Sequence, residues 1–152
     1  MKKQLLSVLC VLFLMAFSGC GNSGKLSGLA PCSGTLTMNG SPVVKATVVF
    51  SPKSGTEMRA AAAETDEQGK FVMTTMTPND GVTPGEFAVS VVKHEAYGPE
   101  MKPTKDEDGN DFTPPRPTKN VLPAKYASSA SSGLVFTIPP EGNKNLEITL
   151  AE

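Results

Sequence analysis

The feature that most constrains this chain is a recurring pattern of short alternating segments separated by turn residues, which residues 34–50 show first. In this stretch Leu36 and Met38 lie on one face of an extended segment, because successive side chains of a strand point to opposite sides. Asn39 and Gly40 then supply the positive φ angles that a tight turn needs. The next apolar segment alternates in the same way. The stretch therefore predicts a β-hairpin.

The same pattern continues along the chain and predicts seven strands. Turn chemistry separates them, as in residues 65–71, where an aspartate and a glycine precede an aromatic residue. The predicted strands cover residues 33–38, 43–51, 58–65, 71–76, 86–93, 134–138 and 146–150. Strands of this length and spacing predict an all-β fold, a seven-stranded Greek-key β-sandwich, with a β-barrel as the alternative.

Residues 94–120 interrupt the pattern. The segment contains five prolines, an acidic cluster and few apolar residues, so we expect an extended or mobile loop outside the core. Long loops retained in compact domains often carry binding residues. We therefore predict a partner-binding surface here, with plain disorder as the alternative. Its candidate residues are Tyr97, Asp106, Asp108, Asp111 and Arg116. After the loop, residues 123–126 predict a single helical turn that begins at Pro123.

The N-terminus predicts an export signal. Lys2 and Lys3 precede an apolar run over residues 5–17, which is too short for a comfortable transmembrane helix, and Ser18-Gly19 supplies small residues before Cys20. Residues 17–20 resemble the bacterial lipobox, with Phe17 where that motif usually has leucine. The resemblance implies signal cleavage between Gly19 and Cys20 and acylation of Cys20. The alternative is an ordinary secretory signal with Cys20 as a free thiol.

The remaining sequence then divides simply. Residues 20–31 contain the lipidated cysteine and a Gly/Ser-rich flexible tether, and residues 32–152 form one domain with the loop 94–120 inserted. If Cys20 is acylated, Cys32 is the only thiol left in the mature chain; if it is not, a disulfide between Cys20 and Cys32 becomes possible. Removal of residues 1–19 takes away two lysines and leaves 12 basic and 15 acidic side chains, with no basic patch for nucleic acid.

Familiar catalytic and metal-binding patterns find little support. His94 is the only histidine, whereas a zinc site needs three or four suitable ligands. No Gly-x-Ser-x-Gly elbow occurs. Residues 106–111 superficially resemble a calcium loop, but Asp111 and Pro117 stand where the EF-hand needs glycine and glutamate. The sequence thus predicts no catalytic residue, no metal and no cofactor.

Several motifs together resemble the carboxypeptidase regulatory-like domain, whose fold is a transthyretin-like β-sandwich. The resemblance covers essentially the whole mature domain and is carried by residues 34–37, 42–43, 46–48, 65–71, 84–89 and 122–126. With the lipobox, it is similar to small bacterial lipoproteins that carry this domain. Each motif is a turn or a strand, so the resemblance implies a fold and little about activity. The histidines and C-terminal motif of the related 5-hydroxyisourate hydrolases are missing here.

Together these observations predict a lipid-anchored, extracytoplasmic, non-catalytic binding or structural module of the cell envelope. Its partners would be the membrane, through the anchor, and an envelope protein or glycan. Gly21 follows Cys20 where some bacteria place a retention aspartate, which favours the outer membrane over the inner. A carbohydrate-binding accessory protein is the alternative, although Tyr97 and Tyr126 are the only tyrosines and tryptophan is lacking. An unrecognised hydrolase is a third, weaker possibility.

Overall fold

A computed structural model describes residues 28–54 and 58–152 of the chain. Within these residues the fold is all-β, as predicted, with one short 3₁₀ helix, Ala124–Ala127, that begins after Pro123. The strands are β1 Cys32–Met38, β2 Ser41–Pro42, β3 Thr47–Pro52, β4 Ala61–Glu64, β5 Lys70–Val72, β6 Gly85–Val92, β7 His94–Ala96, β8 Thr104–Lys105, β9 Asp111–Phe112, β10 Thr118–Asn120, β11 Leu134–Ile138 and β12 Asn143–Leu150. The predicted signal peptide, its cleavage site at Gly19 and Cys20, and most of the tether lie outside the described residues.

Eight of the strands form two four-stranded sheets. In the first sheet β1 lies between β12, which runs parallel to it, and the short antiparallel strands β2 and β5. The second sheet has the antiparallel order β11-β6-β3-β4. Buried residues of both sheets form one hydrophobic cluster that runs from Ala30 to Leu150 along the chain. The architecture is therefore β-sandwich-like.

The core is built from the apolar positions that alternate along each strand. Phe87, Val89 and Val91 of β6 are fully buried, and Phe50 of β3 packs against Phe87 with ring centroids 5.6 Å apart. Phe136 of β11 stacks on Phe50 at 6.4 Å but stays half-buried, because β11 lies at the edge of its sheet. The apolar residues that alternate along these strands therefore face the core.

The predicted first hairpin is correct only at its turn. Asn39 and Gly40 adopt φ angles of 51° and 82°, and β2 pairs with β1 over two residues. The strand predicted over residues 43–51 continues this pairing by a single hydrogen bond, from the N–H of Val43 to the carbonyl of Leu36. Lys45 adopts a φ of 53°, which breaks the strand, and the chain then crosses to the other sheet before β3 begins at Thr47. A single left-handed residue thus separates two elements that the alternation pattern had joined.

Four other boundaries also differ from the prediction, and one of them is the start of β12 at Asn143, three residues before the predicted strand. The strand expected over residues 71–76 ends early, because Asp80 accepts hydrogen bonds from the N–H groups of Thr75, Met76 and Thr77 and folds this segment into a turn. The strand expected over residues 58–65 is limited to Ala61–Glu64. The tether expected over residues 20–31 must end before Ala30, since Ala30 is buried and exchanges two backbone hydrogen bonds with Val82.

The segment predicted as a loop over residues 94–120 contains paired strands. β7 pairs with β10 and β8 pairs with β9, both antiparallel, so the chain continues from the end of β6 into a two-stranded ribbon. The prediction that this segment lies outside the core is correct: of its residues, Pro114 and Asn120 alone are half-buried and the rest are exposed. We call residues 94–120 the arm.

The chain enters the sandwich and leaves it for the arm at opposite ends. Ala30 is bonded to Val82, just before β6 begins, and β1 then runs away from this point. Met38, at the far end of β1, shares a small depression with Lys93 and Val121 at the base of the arm. The seven residues of β1 separate the two ends by roughly 20 Å, at about 3.3 Å per residue. We call these ends the tether pole and the arm pole.

One buried hydroxyl secures the crossing between the sheets. Thr65 is 2% exposed, its Oγ1 donates to the carbonyl of Val43 at 2.7 Å, and it accepts from the N–H of Ala46 at 2.9 Å. These two bonds satisfy backbone groups on both sides of Lys45, where the chain has neither sheet's regular ladder. Thr65 therefore supports the backbone where the chain passes from β2 in the first sheet to β3 in the second.

We expect Thr65→Val to lower the free energy of unfolding by about 2–6 kcal/mol, because a valine of similar shape leaves two buried backbone groups unpaired at roughly 1–3 kcal/mol each. Thr65→Ser keeps the hydroxyl and is the matched control. Urea unfolding followed by circular dichroism measures both variants. Equal stability of the valine and serine variants would contradict this role.

Candidate functional site

The arm holds all five residues predicted for partner binding, but at two separate levels. Tyr97 and Arg116 lie near the pairing of β7 with β10, where Arg116 Nη2 donates to the carbonyl of Gly98 at 2.6 Å. Asp106, Asp108 and Asp111 lie at or beside the turn that joins β8 to β9. The structure thus gives the arm a middle section and a tip.

Asp106 builds the tip. Its Oδ1 accepts from the N–H groups of Asp108 at 3.1 Å and Asn110 at 2.8 Å, and its Oδ2 accepts from the side-chain amide of Asn110. Asp111 forms an ion pair with Lys105 at 3.1 Å. Of the three predicted acidic residues, Asp108 alone has a carboxylate without a side-chain or backbone partner among the described residues. Asp106 and Asp111 therefore shape the tip before they can serve a partner.

The same turn occurs a second time in the chain. Asp66 Oδ1 accepts from the N–H groups of Gln68 and Lys70, both at 2.8 Å, and the sequence 66–69, Asp-Glu-Gln-Gly, matches Asp-Glu-Asp-Gly at 106–109. In both turns the glycine has a positive φ. The segment that superficially resembled a calcium loop is therefore a hairpin turn. Its relation to the turn at Asp66 is the sequence signal that would have predicted a hairpin in the arm.

The arm exposes large apolar side chains and has no core. Tyr97 is 47% exposed, Met101 41% and Phe112 50%. Around Phe112, residues 104–112 carry four acidic side chains and one lysine. A two-stranded ribbon has little stability of its own, so these polar bonds maintain its shape while its apolar groups face water. Three large apolar side chains are thus available on the arm for contact with another molecule.

The base of the arm is joined to the sandwich by one side chain. Asn120 Oδ1 accepts from the N–H of Lys93 at 3.0 Å and from the N–H of Leu122 at 3.2 Å. The N–H of Val121 also donates to the carbonyl of Lys93. His94 begins β7 in an exposed position. That the chain has no catalytic residue stays a prediction.

A second candidate site, which the sequence did not predict, is a groove of about 550 Å³ beside β5. Its lining includes Thr47, Glu64, Lys70, Val72, Thr74 and Asn79. β4 of one sheet forms one wall and β5 of the other sheet forms the other wall. A groove of this size is large enough for a small ligand, and its lining combines polar side chains with apolar ones such as Phe71. Most of its residues come from β4, β5 and the adjoining turns, and the alternation of apolar residues does not predict which strands these segments pair with.

Cys32 and the two tyrosines differ in their exposure to solvent. Cys32 is a free, buried thiol, and burial raises the pKa of Cys32 to about 11, so that it stays protonated and unreactive at neutral pH. Cys20 lies outside the described residues. Tyr126 is buried, and its hydroxyl bonds to the backbone of Ala151. Tyr97 is therefore the only tyrosine exposed for stacking against a ligand.

Within residues 28–54 and 58–152, no three His, Cys, Asp or Glu side chains lie close enough together to hold a metal ion. Over the same ranges no helix has the length and apolar character needed to cross a membrane.

Comparison with known proteins adds little. No protein-family model matches the chain, and no curated protein matches it. Among solved structures, the chain is similar to a 9R-lipoxygenase from Cyanothece PCC8801, with 11% sequence identity and a TM-score of 0.35. The match covers 97% of this chain and 20% of the lipoxygenase chain, so this chain spans about one fifth of that protein. A similarity at this level carries no argument about fold or activity.

Two carboxylates, those of Asp80 and Asp106, have pKa values below the ordinary value of an aspartate. Partial desolvation disfavours ionisation of Asp80, but hydrogen bonds from the backbone of Thr75, Thr77 and Met76 and from the Thr77 hydroxyl outweigh it and lower the pKa of Asp80. Hydrogen bonds from the backbone and side chain of Asn110 lower the pKa of Asp106 in the same direction. A lowered folded-state pKa stabilises the fold above the unfolded value, near 3.8, and that stabilisation is lost as the pH falls through the folded value.

We therefore expect Asp80→Asn to flatten the acid limb of global stability below about pH 4, where unfolded aspartate begins to titrate. Asp106→Asn should leave that limb unchanged, since its turn lies in the arm and contacts no part of the core. Urea unfolding at a series of pH values measures both variants. An unchanged acid limb in Asp80→Asn would refute the assignment.

Proposed function

We propose that the protein is a lipid-anchored, extracytoplasmic, non-catalytic binding module of the cell envelope, and that the arm is its contact surface. The observation that carries the proposal is a polar-bonded ribbon that projects from the sandwich with Tyr97, Met101 and Phe112 exposed. Exposed aromatic side chains on a preformed surface provide binding energy at a small cost in conformational entropy. The arm has both properties.

The position of the arm supports this proposal. With Cys20 acylated, the bilayer lies on the tether side, because only seven residues separate Cys20 from Gly28, where the described chain begins. The arm leaves from the opposite pole. An anchored molecule would therefore hold its arm away from its own membrane, towards another component of the envelope. The acidic tip favours a partner with a basic surface around an apolar depression.

The finer fold assignment belongs to the same proposal. We propose a Greek-key sandwich of the transthyretin-like, carboxypeptidase regulatory-like type. In support, strands that are distant in the sequence are neighbours in the first sheet, where β1 lies between β12 and β5. If β2 is counted as an extension of the β1 turn, seven strands remain in the two main sheets, namely β1, β3, β4, β5, β6, β11 and β12. An outer-membrane location and the envelope partner are part of this proposal and rest on sequence alone.

A carbohydrate-binding accessory protein is a second candidate function. The groove beside β5 favours it, since hydroxyl, amide and charged side chains line the groove together. The aromatic platform that many sugar sites use is thin here, because Tyr126 is buried and Tyr97 lies on the arm. No observation favours a hydrolase over either binding function.

Lipidation is tested by substitution of Cys20. We expect wild-type protein expressed in its own cells to incorporate a palmitate analogue and to fractionate with membranes, and Cys20→Ser to lose both properties. Cys10→Ser is the matched control, because Cys10 leaves with the signal peptide. A wild-type chain that is cleaved but carries no label would favour the ordinary secretory signal.

The arm is tested by shortening it. Glu95 and Lys119 occupy a hydrogen-bonded position of the ladder between β7 and β10, so residues 96–118 can be replaced by Asn-Gly, which closes a two-residue hairpin turn. We expect the melting temperature to change by no more than about 2 °C, because the removed residues contribute nothing to the core. Crosslinking in the native envelope should lose any partner that the intact protein captures.

A milder variant tests the same surface with the arm present. Tyr97→Ser combined with Phe112→Ser should reduce capture at least tenfold, or about 1.4 kcal/mol. Val135→Ser is the control, since Val135 is an apolar side chain of similar exposure, 45%, outside the arm. Equal capture by the shortened and intact proteins would remove the arm from the proposal.

A further inference from the structure

The hairpin from β4 to β5 lacks one pair of hydrogen bonds in the middle of its ladder. At one end Ala62 and Thr74 exchange two backbone hydrogen bonds of 2.9 Å. At the other end the N–H of Asp66 donates to the carbonyl of Lys70 at 2.8 Å. Glu64 and Val72 occupy the register position between these pairs, yet no hydrogen bond joins them among the described residues. We call this position the open rung.

The hydrogen bonds that β5 makes to β1, and those that β4 makes to β3, leave the backbone groups of the open rung directed into the groove. The carbonyl of Cys32 accepts a hydrogen bond from the N–H of Met73. Because the backbone groups of successive residues in an antiparallel strand point to opposite sides, the backbone N–H and C=O of Phe71 point towards β1 and those of Val72 point away from it. In the same way, the N–H of Thr65 donates to Ala46, so the backbone of Glu64 points away from β3. Each wall of the groove therefore presents one N–H donor and one C=O acceptor.

The strands diverge here because they belong to different sheets. β4 follows β3 in the second sheet, whereas β5 pairs with β1 in the first. The turn at Asp66 closes the opening on one side, and the Ala62–Thr74 pair closes it on the other. The groove of about 550 Å³ lies over this opening, with Thr47, Thr74 and Asn79 on its lining. Four backbone groups thus face a concave site whose lining is part polar and part apolar.

The donors and acceptors of the open rung match a single secondary amide group better than an extended peptide. An extended peptide that adds to a sheet needs several consecutive free positions on one edge, and here each strand offers one residue between two bonded pairs. A single secondary amide has one N–H and one C=O, and it can bond to one acceptor and one donor of the rung. An acetamido group on a sugar ring has this amide, while the ring hydroxyls match the hydroxyl and amide side chains around it.

We propose that this groove binds an N-acetylated amino sugar through its acetamido group, which hydrogen-bonds to the backbone of Glu64 and Val72. The proposal deepens the carbohydrate-binding candidate and does not involve the arm, with which the groove shares no residue. It can therefore fail or succeed independently of the arm as a contact surface. A peptide ligand is the competing occupant.

The first test compares two disaccharides on the unaltered protein. N,N′-diacetylchitobiose and cellobiose are β-1,4-linked glucose-type disaccharides, and they differ in an acetamido group or a hydroxyl on each ring. We expect the acetylated sugar to bind full-length protein in detergent micelles with a dissociation constant of about 1 mM and to shift the amide resonances of Glu64 and Val72. Cellobiose should bind at least tenfold more weakly. Equal shifts from both sugars, or none with either at about 10 mM, would overturn the proposal.

The second test removes one donor of the rung. Val72→Pro deletes the N–H that points away from β1, where proline is tolerated in an edge strand, and Val72→Thr keeps it. We expect the proline variant to lose at least tenfold in affinity and the threonine variant to stay within about twofold. If the proline variant does not fold, the pair of disaccharides tests the same contact in the unaltered protein.

Two further outcomes are decisive. The protein with the shortened arm should bind N,N′-diacetylchitobiose as the intact protein does, because the arm contributes no residue to the groove. An asparagine-containing tripeptide that bound the open rung more tightly than the disaccharide would overturn the sugar assignment in favour of a peptide.

Discussion

The arrangement of the two sheets depends on the buried hydroxyl of Thr65. It bonds to Val43 and Ala46 on either side of the left-handed Lys45, and so holds the chain where it passes from the first sheet to the second. The same residue ends β4 through its own N–H, which fixes the phase of the β3–β4 ladder. The outward direction of the Glu64 backbone follows from that phase. Thr65 thus contributes to the passage between the sheets through its side chain and to one wall of the groove through its backbone.

The central position of β1 has a comparable effect on the poles. Because β12 runs parallel to β1, both strands begin at the tether pole and end at the arm pole. β11 runs antiparallel to β6 and ends where β12 begins, but these two consecutive strands lie in different sheets. The parallel pair separates the N-terminal attachment from the arm by the full length of a strand. In an anchored molecule, this separation would keep the arm clear of the bilayer.

Alternation in the sequence predicted the strands that bury one face, and it failed where another signal decided the structure. β6 and β11 were predicted almost to the residue, because each has a clear apolar face. The crossing at Lys45 could not be predicted, since lysine carries no preference for a positive φ and its conformation follows from Thr65. In the arm the prolines indicated a loop, while the turn at Asp106 repeated the chemistry already recognised at Asp66. The groove was beyond sequence reasoning altogether, because the open rung results from the relative phases of two ladders in different sheets.

The arm and the groove also differ in how they acquire their binding groups, and this bears on how they could act together. The arm offers side chains on a ribbon held by polar bonds, so its surface can change in evolution without cost to the core. The groove offers backbone groups fixed by two sheets, so it can change only with the fold. Since the two sites share no residue, both sites of one protein molecule can be occupied at the same time. Anchoring at Cys20 would hold them within a small volume near the membrane, where a second contact becomes intramolecular and weak individual affinities are sufficient for a stable attachment.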